Sequence, residues 1–593
     1  MMSSRGSLIV IALFFGALQV LVLPSDGFVT GDQGSKFLQA RAFAENGPLN
    51  PSIDVQSRDI DPQYLRQEPK LKERRGRLVS EFLWLLPLVS APFVRILGMR
   101  GLYVVPTLSV VAIFLAASAL GRRIGDDRGL WTAWVVLLVT PVAIYGLEFW
   151  EHSPAAACLI VAAVLLAPSA KSHRGEGGDE GSLKFAAGGA AIAIGTLFRE
   201  EAIVALPALL AARSTGMNRD RLKDLVNAAM WTTLGAGLVL ASSAPVNLMI
   251  YGAALPMHMT QDAWQVARSL PYLQVRRDVL VDLLLPSSYP VLFVAALMSG
   301  LAAASTQAWR RRAGRADHPV SRALVVIVHS SIAIVLAIAV VHSLWALARG
   351  VRPHEAYRVT SAVHTWPFVL ALLYWPWVAT ESQRPVARYL VVTAVLVVVG
   401  TALVVPTSGG TQWSPRFLLP AAPLLAVVAA AAARPMPNDR LRTFAGGITG
   451  PAAIAWMTRA ILVASFVMQL TGLVWVQRAK TRNARLTHEA ASMTAPGDVL
   501  ISNVFWFPEV TATLASSRRM LFSWSSSDIP AMASAAARHG FKRFSVVTSM
   551  PLTGYEAPQA LDLPGVRCRF TRGAQIALDE LGLVLNPYAC EDR

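Results

Sequence analysis

Asp32 lies in the stretch GDQGSKFLQARAF, between Gly31 and Gly34 and just past the first apolar run of the chain. An aspartate there can cap the start of a helix. It can also serve as a general base that accepts a proton from a hydroxyl. Glu148, Glu151 and His152 fall within EFWEH, about one helical turn in extent. Carboxylate and imidazole so spaced can hold a divalent cation such as Mg or Mn, or pass a proton. The competing structural reading is an interfacial cluster in which Trp150 anchors at headgroup depth. Arg199 in FREEA and Arg416 in GGTQWSPRFLLPAAPLL present guanidinium groups that can clasp a phosphate through paired hydrogen bonds. For Arg199 the alternative is an internal ion pair with Glu200 or Glu201. For Arg416 it is snorkelling toward lipid headgroups. Asp54, Asp59 and Asp61 are rivals to Asp32 for the base, whereas His258 and His354 are lone loop histidines and read as bystanders.

These residues must be positioned by membrane helices. The chain has 593 residues, of which 54% are hydrophobic and 15% charged. That is too apolar for a soluble enzyme, and many segments approach the roughly 20 apolar residues that cross a bilayer. Backbone polar groups in lipid must pair within their own segment, so the spans are helices. The net charge of +17 does not indicate nucleic-acid binding. Much of the basic excess sits in short loops, at Arg122, Arg213 to Lys223, Arg310 to Arg315 and Arg434 to Arg442, which orients those loops toward the cytoplasm.

The reading is an α-helical polytopic membrane protein with about thirteen crossings. A membrane domain covers residues 1–476, with an extracytoplasmic first loop over residues 25–98, and a small extracytoplasmic α/β domain covers residues 477–593. Residues 8–23 have the pattern of a signal peptide but are read as an uncleaved first span. The loops that carry Asp32, the EFWEH cluster and Arg416 fall on the side opposite the basic loops, outside the cytoplasm. Cys158 lies within a span; Cys568 and Cys590, in the tail, can form a disulfide if the tail is extracytoplasmic, or remain two thiols.

At these motifs the chain resembles the glycosyltransferase-C superfamily, multispanning bacterial enzymes of mannosyltransferase and arabinosyltransferase type that take sugars from polyprenyl-phosphate carriers. The resemblance rests on an acidic residue after the first span (Asp32), a polar cluster after the third (Glu148, Glu151 and His152), and a late PRFLLP loop carrying Arg416. It implies that Asp32 acts as base on a glycan, lipid or protein acceptor, and that the sugar is transferred with inversion. It further implies that Arg416, with Arg199, holds the polyprenyl phosphate, and that the protein resides in the plasma (inner) membrane. Many relatives have two adjacent acidic residues in the first loop, whereas here Asp32 is followed by Gln33, which weakens metal binding there. Alternatives are a ligase moving a whole lipid-linked glycan, a lipid or sugar transporter or flippase, and a non-enzymatic assembly or sensor protein.

Overall fold

The computed structural model describes residues 4–63, 67–168, 181–215, 222–255, 272–285, 291–313, 318–348, 361–405, 407–409, 412–434, 451–563, 566–570 and 582–592. His258 and His354 lie outside the described residues. The chain divides into two compact units. One comprises Met1–Ile11, Pro106–Ser242 and Asp262–Trp475; the other comprises Ala12–Val105, Ser243–Gln261 and Val476–Arg593. The polar first loop thus groups with the C-terminal region.

Among the described residues, six helices are long and apolar enough to cross a membrane: Leu85–Arg123, Leu222–Tyr251, Val291–Arg312, Pro319–Val341, Arg384–Val404 and Ala452–Met493. Leu234, Leu238, Met298 and Val463 point outward along them, as a lipid-facing surface requires. Several segments expected as full spans are shorter apolar helices, including Leu130–Val139, His152–Leu166 and Arg416–Ala432, and Ser182–Phe198 is a further short one. Their breaks have local causes. Pro141 has no N–H to continue the helix beyond Val139. At Arg199 the backbone turns extended (φ −146°, ψ 118°) before a short 3₁₀ turn at Glu200–Val204. These interruptions put the candidate residues at helix ends rather than on helix walls.

The second unit is built on two sheets. A hairpin pairs β1 (Leu71–Arg74) with β2 (Arg77–Ser80). The larger sheet contains β3 (Val499–Ser502), β4 (Arg519–Phe522), β5 (Arg543–Ser549), β6 (Ala560–Leu563), β7 (Val566–Phe570) and β8 (Leu583–Asp592). Their order is β4-β3-β5-β8-β7-β6. The first three run parallel, with the Ile529–Arg538 helix forming part of the β4 to β5 crossover; β5 to β6 pair antiparallel through β8 and β7. Val499, Ile501, Leu521, Ile529, Phe544 and Val546 fill its core. Cys568 and Cys590 are direct cross-strand neighbours on β7 and β8 and are disulfide-bonded.

The same unit contains the Gly31–Asn46 helix, buried along most of its length through Phe37, Leu38, Ala40 and Phe43. It is neither strongly apolar nor amphipathic in pattern, because Lys36 and Gln39 are buried with it. Gln39 explains its own burial: its amide donates to the Pro51 carbonyl (2.7 Å) and accepts from the Ser80 N–H (3.0 Å). That pairing ties the helix to β2.

Candidate active site

In the first unit, three broken helix ends converge. The Leu130–Val139 helix ends at Thr140, and a loop carrying Gly146 to Trp150 leads into the His152–Leu166 helix. Glu148, Glu151 and His152 are all buried there. The Ser182–Phe198 helix delivers Arg199 at its end. The third contribution is Arg416, first residue of the 3₁₀ turn Arg416–Ala421.

Arg199 is enclosed by carboxylates. Its Nη1 donates to Glu151 Oε1 at 2.8 Å and its Nε to Glu201 Oε1 at 2.9 Å, with all three side chains nearly buried. The internal pairing expected as an alternative for Arg199 is therefore present, but with Glu201 and Glu151 together. The guanidinium also lies 5.0 Å from the centre of the Phe417 ring. Arg416 approaches the same ring at 5.3 Å and the Trp150 ring at 5.2 Å. Two guanidinium groups from distant parts of the sequence thus share one aromatic ring, a favourable contact for each cation.

The loop that carries Arg416 is fixed from behind. Ser414 is buried with φ +69°, a left-handed conformation that a residue with a Cβ adopts only when its surroundings impose it. Its hydroxyl accepts hydrogen bonds from Trp366 Nε1 (2.7 Å) and Thr365 Oγ1 (3.1 Å). Tyr145 donates from its hydroxyl to the carbonyls of Trp413 (2.7 Å) and Ser414 (3.2 Å). Tyr145 belongs to the EFWEH side of the site, and its own carbonyl accepts from Ser153 Oγ at 2.7 Å. The arginine loop and the acidic loop are therefore locked to each other through a tyrosine.

His152 packs edge-on against Tyr145, Trp150 and Phe417, at ring separations of 5.9, 6.0 and 5.8 Å. Among the described residues, no group of three or more His, Cys, Asp and Glu side chains is arranged to hold a metal ion. Glu151 turns its carboxylate to Arg199, and His152 is boxed by rings.

Asp32 belongs to the second unit, in the first turn of the Gly31–Asn46 helix. Around it the fold gathers Glu68, Lys70, Glu81 and Glu509. Lys70 Nζ is 2.9 Å from Glu81 Oε1, and the Ser35 hydroxyl donates to Glu68. Lys36 is buried with its ammonium 4.2 Å from the centre of the Phe82 ring. Burial first, then the neighbouring Glu81 and Asp32 charges, push the Glu68 carboxyl up to about 8 against the Ser35 hydrogen bond. Burial, with Glu68 and Asp32, holds Glu509 well above the usual carboxylate range. Burial would lower Lys70, but Glu81, Asp32 and Glu509 outweigh it and raise the ammonium.

The rival aspartates are otherwise occupied or outlying. Asp59 pairs with Arg519 at 2.7 Å, and Asp61 accepts from Gln67 at 2.7 Å. Asp54 is exposed. Sequence reasoning did not single out Tyr145, Ser414, Trp366 and Phe417 in the first unit, or Glu68, Lys70 and Glu509 in the second. Each acts through a partner far along the chain, and only Phe417, beside Arg416 in the PRFLLP loop, carried a local signal.

No family model and no curated protein matches the chain. Solved structures similar to it include ArnT from Cupriavidus metallidurans bound to undecaprenyl phosphate, at 11% identity and a TM-score of 0.48 over 99% of this chain and 98% of that one. Also similar is the oligosaccharyltransferase of Archaeoglobus fulgidus in its apo form, at 12% identity and a TM-score of 0.46, covering 92% of this chain and 69% of that one. The same archaeal protein in complex with an inhibitory peptide and a dolichol-phosphate is similar at 12% identity and a TM-score of 0.45, with the same coverage.

Proposed function

We propose that the chain is a membrane glycosyltransferase of the glycosyltransferase-C kind. It moves a mannosyl- or arabinosyl-type sugar from a polyprenyl-phosphate carrier to a glycan, lipid or protein acceptor at the outer face of the plasma membrane. The observation that carries this reading is the approach of Arg199 and Arg416 to one Phe417 ring at the mouth of a broken apolar helix. Cations are costly at membrane depth and mark functional sites there. A lipid phosphate is the anion such a place offers.

In this reading Arg416 is the main phosphate ligand. Arg199, already bridged to Glu151 and Glu201, holds the Phe417 ring in place beside it. Asp32 accepts the proton as the acceptor oxygen attacks the anomeric carbon. The bond from that carbon to the phosphate oxygen breaks, and the polyprenyl phosphate leaves with the electron pair, stabilised by the guanidinium. Attack opposite the leaving group inverts the anomeric centre.

Purified protein in liposomes, given polyprenyl-phosphate mannose and polyprenyl-phosphate arabinose with envelope glycan fragments as acceptors, tests the reading. Release of polyprenyl phosphate with appearance of a glycosylated acceptor is the expected result. Movement of intact sugar lipid across the bilayer, without cleavage, would instead indicate a flippase.

A further inference from the structure

We propose that Glu509, contributed by the C-terminal α/β region, is a positioning residue for Asp32, seated on the first turn of the Gly31–Asn46 helix. This rests on the reading of Asp32 as the general base.

The seat is sterically specified. A Cβ on Gly31 would lie 1.5 Å from Glu509 Oε2, and one on Gly34 would lie 1.8 Å from the Glu509 carbonyl oxygen. Two glycines three residues apart share one face of a helix. Here they admit both the side chain and the backbone of the short Trp506–Val510 helix. Thr30, the residue before the helix, makes no side-chain hydrogen bond to its first turn. That turn carries backbone N–H groups without helical partners, and Asp32 sits on it.

The electrostatics give the seat a function. Four carboxyl groups (Asp32, Glu68, Glu81 and Glu509) face one another across the Gly31–Asn46 helix, the segment leading into β1, the end of β2, and the Trp506–Val510 helix. Three cations stand close by: Lys70 and Lys72 lie 2.9 and 3.8 Å from Glu81, and Lys36 is buried on the same helix as Asp32. Glu68 and Glu509 are only 7% and 3% exposed, whereas Asp32 is half-buried. Burial and the neighbouring carboxyls raise both Glu68 and Glu509, which favours their neutral forms, and a neutral carboxyl has an O–H to donate. Glu509 thus joins the C-terminal region to the reacting group.

The test uses the full-length protein in liposomes, with release of polyprenyl phosphate measured from pH 5.5 to 9.5. Wild type should lose rate as the pH passes about 8, where Glu68 ionises. Glu509→Gln, which keeps a neutral donor, should match wild type at pH 7, and Glu68→Gln, which cannot ionise, should hold its rate to higher pH. Glu509→Ala should lower kcat about tenfold or more with donor KM unchanged, as misplacement of a reacting group does. Gly31→Ala, whose methyl displaces the Glu509 carboxyl, should copy that loss. An alanine variant with wild-type kcat and pH profile overturns the proposal, as does a glutamine variant as impaired as alanine with no change of profile.

Asp32→Asn separates the two levels. If it still transfers sugar, the base assignment falls and this proposal with it. If it is inactive while Glu509→Ala is unaffected, only this proposal falls. A readout that needs no substrate is the double-mutant cycle of Asp32→Asn with Glu509→Gln in thermal unfolding at pH 7. Non-additive shifts in Tm are expected, and additive shifts overturn the coupling.

Discussion

Glu151 and Arg199, separated by 48 residues, form a buried ion pair at 2.8 Å, and Glu201 joins the same guanidinium at 2.9 Å. The pair ties the start of one broken helix to the end of the next. It also carries the Phe417 ring on which Arg416 rests. Glu151→Gln should cost about 3 kcal/mol, the low end for breaking a buried pair, since Glu201 still neutralises the arginine. Thermal unfolding in detergent measures this. An unchanged unfolding midpoint would mean that the pair is dispensable to the fold.

Arg416→Ala should reduce transfer by about 10² to 10³-fold, the loss typical of removing one preorganised group that stabilises developing charge. Its turn is held independently through Ser414 and Tyr145, so the protein should remain folded. Arg416→Lys should recover part of the rate but less of the affinity for the lipid, because an ammonium lacks the paired donors of guanidinium. Steady-state rates against donor concentration separate the two effects.

The sequence was most informative where a residue type was out of place. Arg416, Arg199 and the EFWEH cluster are polar groups at the ends of apolar runs, and all of them meet in the first unit. The disulfide between Cys568 and Cys590 could be named as a candidate because only two cysteines fall in the tail. What could not be read locally was the wiring. Ser414 needs Trp366 and Tyr145 to hold its left-handed backbone, and Asp32 has Glu509 beside it from the far end of the chain. Such contacts leave no periodicity in either partner's own segment. The number of crossings was obscured for a related reason. Hydropathy counts apolar residues, but it does not register that Pro141 stops a helix short.

Glu68 provides a pH test of the cluster. Its carboxyl is raised from 4.5 to about 8 by burial, so folding favours its protonated form. Its contribution to stability is full below about 4.5, falls as the pH rises, and is lost once the pH passes about 8. Wild type should therefore unfold more easily at pH 8.5 than at pH 5.5. Glu68→Gln, which cannot ionise, should show a smaller difference. Unfolding midpoints across that range check the sign; a wild-type protein more stable at the alkaline end would contradict it.

Asp32→Asn is the sharpest mutation, because it removes the base and little else. The side chain is half-buried in a helix whose packing is carried by Phe37, Leu38 and Phe43, so the fold should persist. Transfer to a hydroxyl acceptor should fall about 10² to 10⁴-fold, the range for loss of a positioned general base. Binding of the lipid donor, assigned to Arg416 in the first unit, should be unaffected. The informative measurement is therefore paired: donor binding by equilibrium titration beside turnover. Retained binding with lost turnover places Asp32 in the chemical step. Loss of both would make Asp32 part of the donor site, and full turnover would pass the proton to another carboxyl of the cluster.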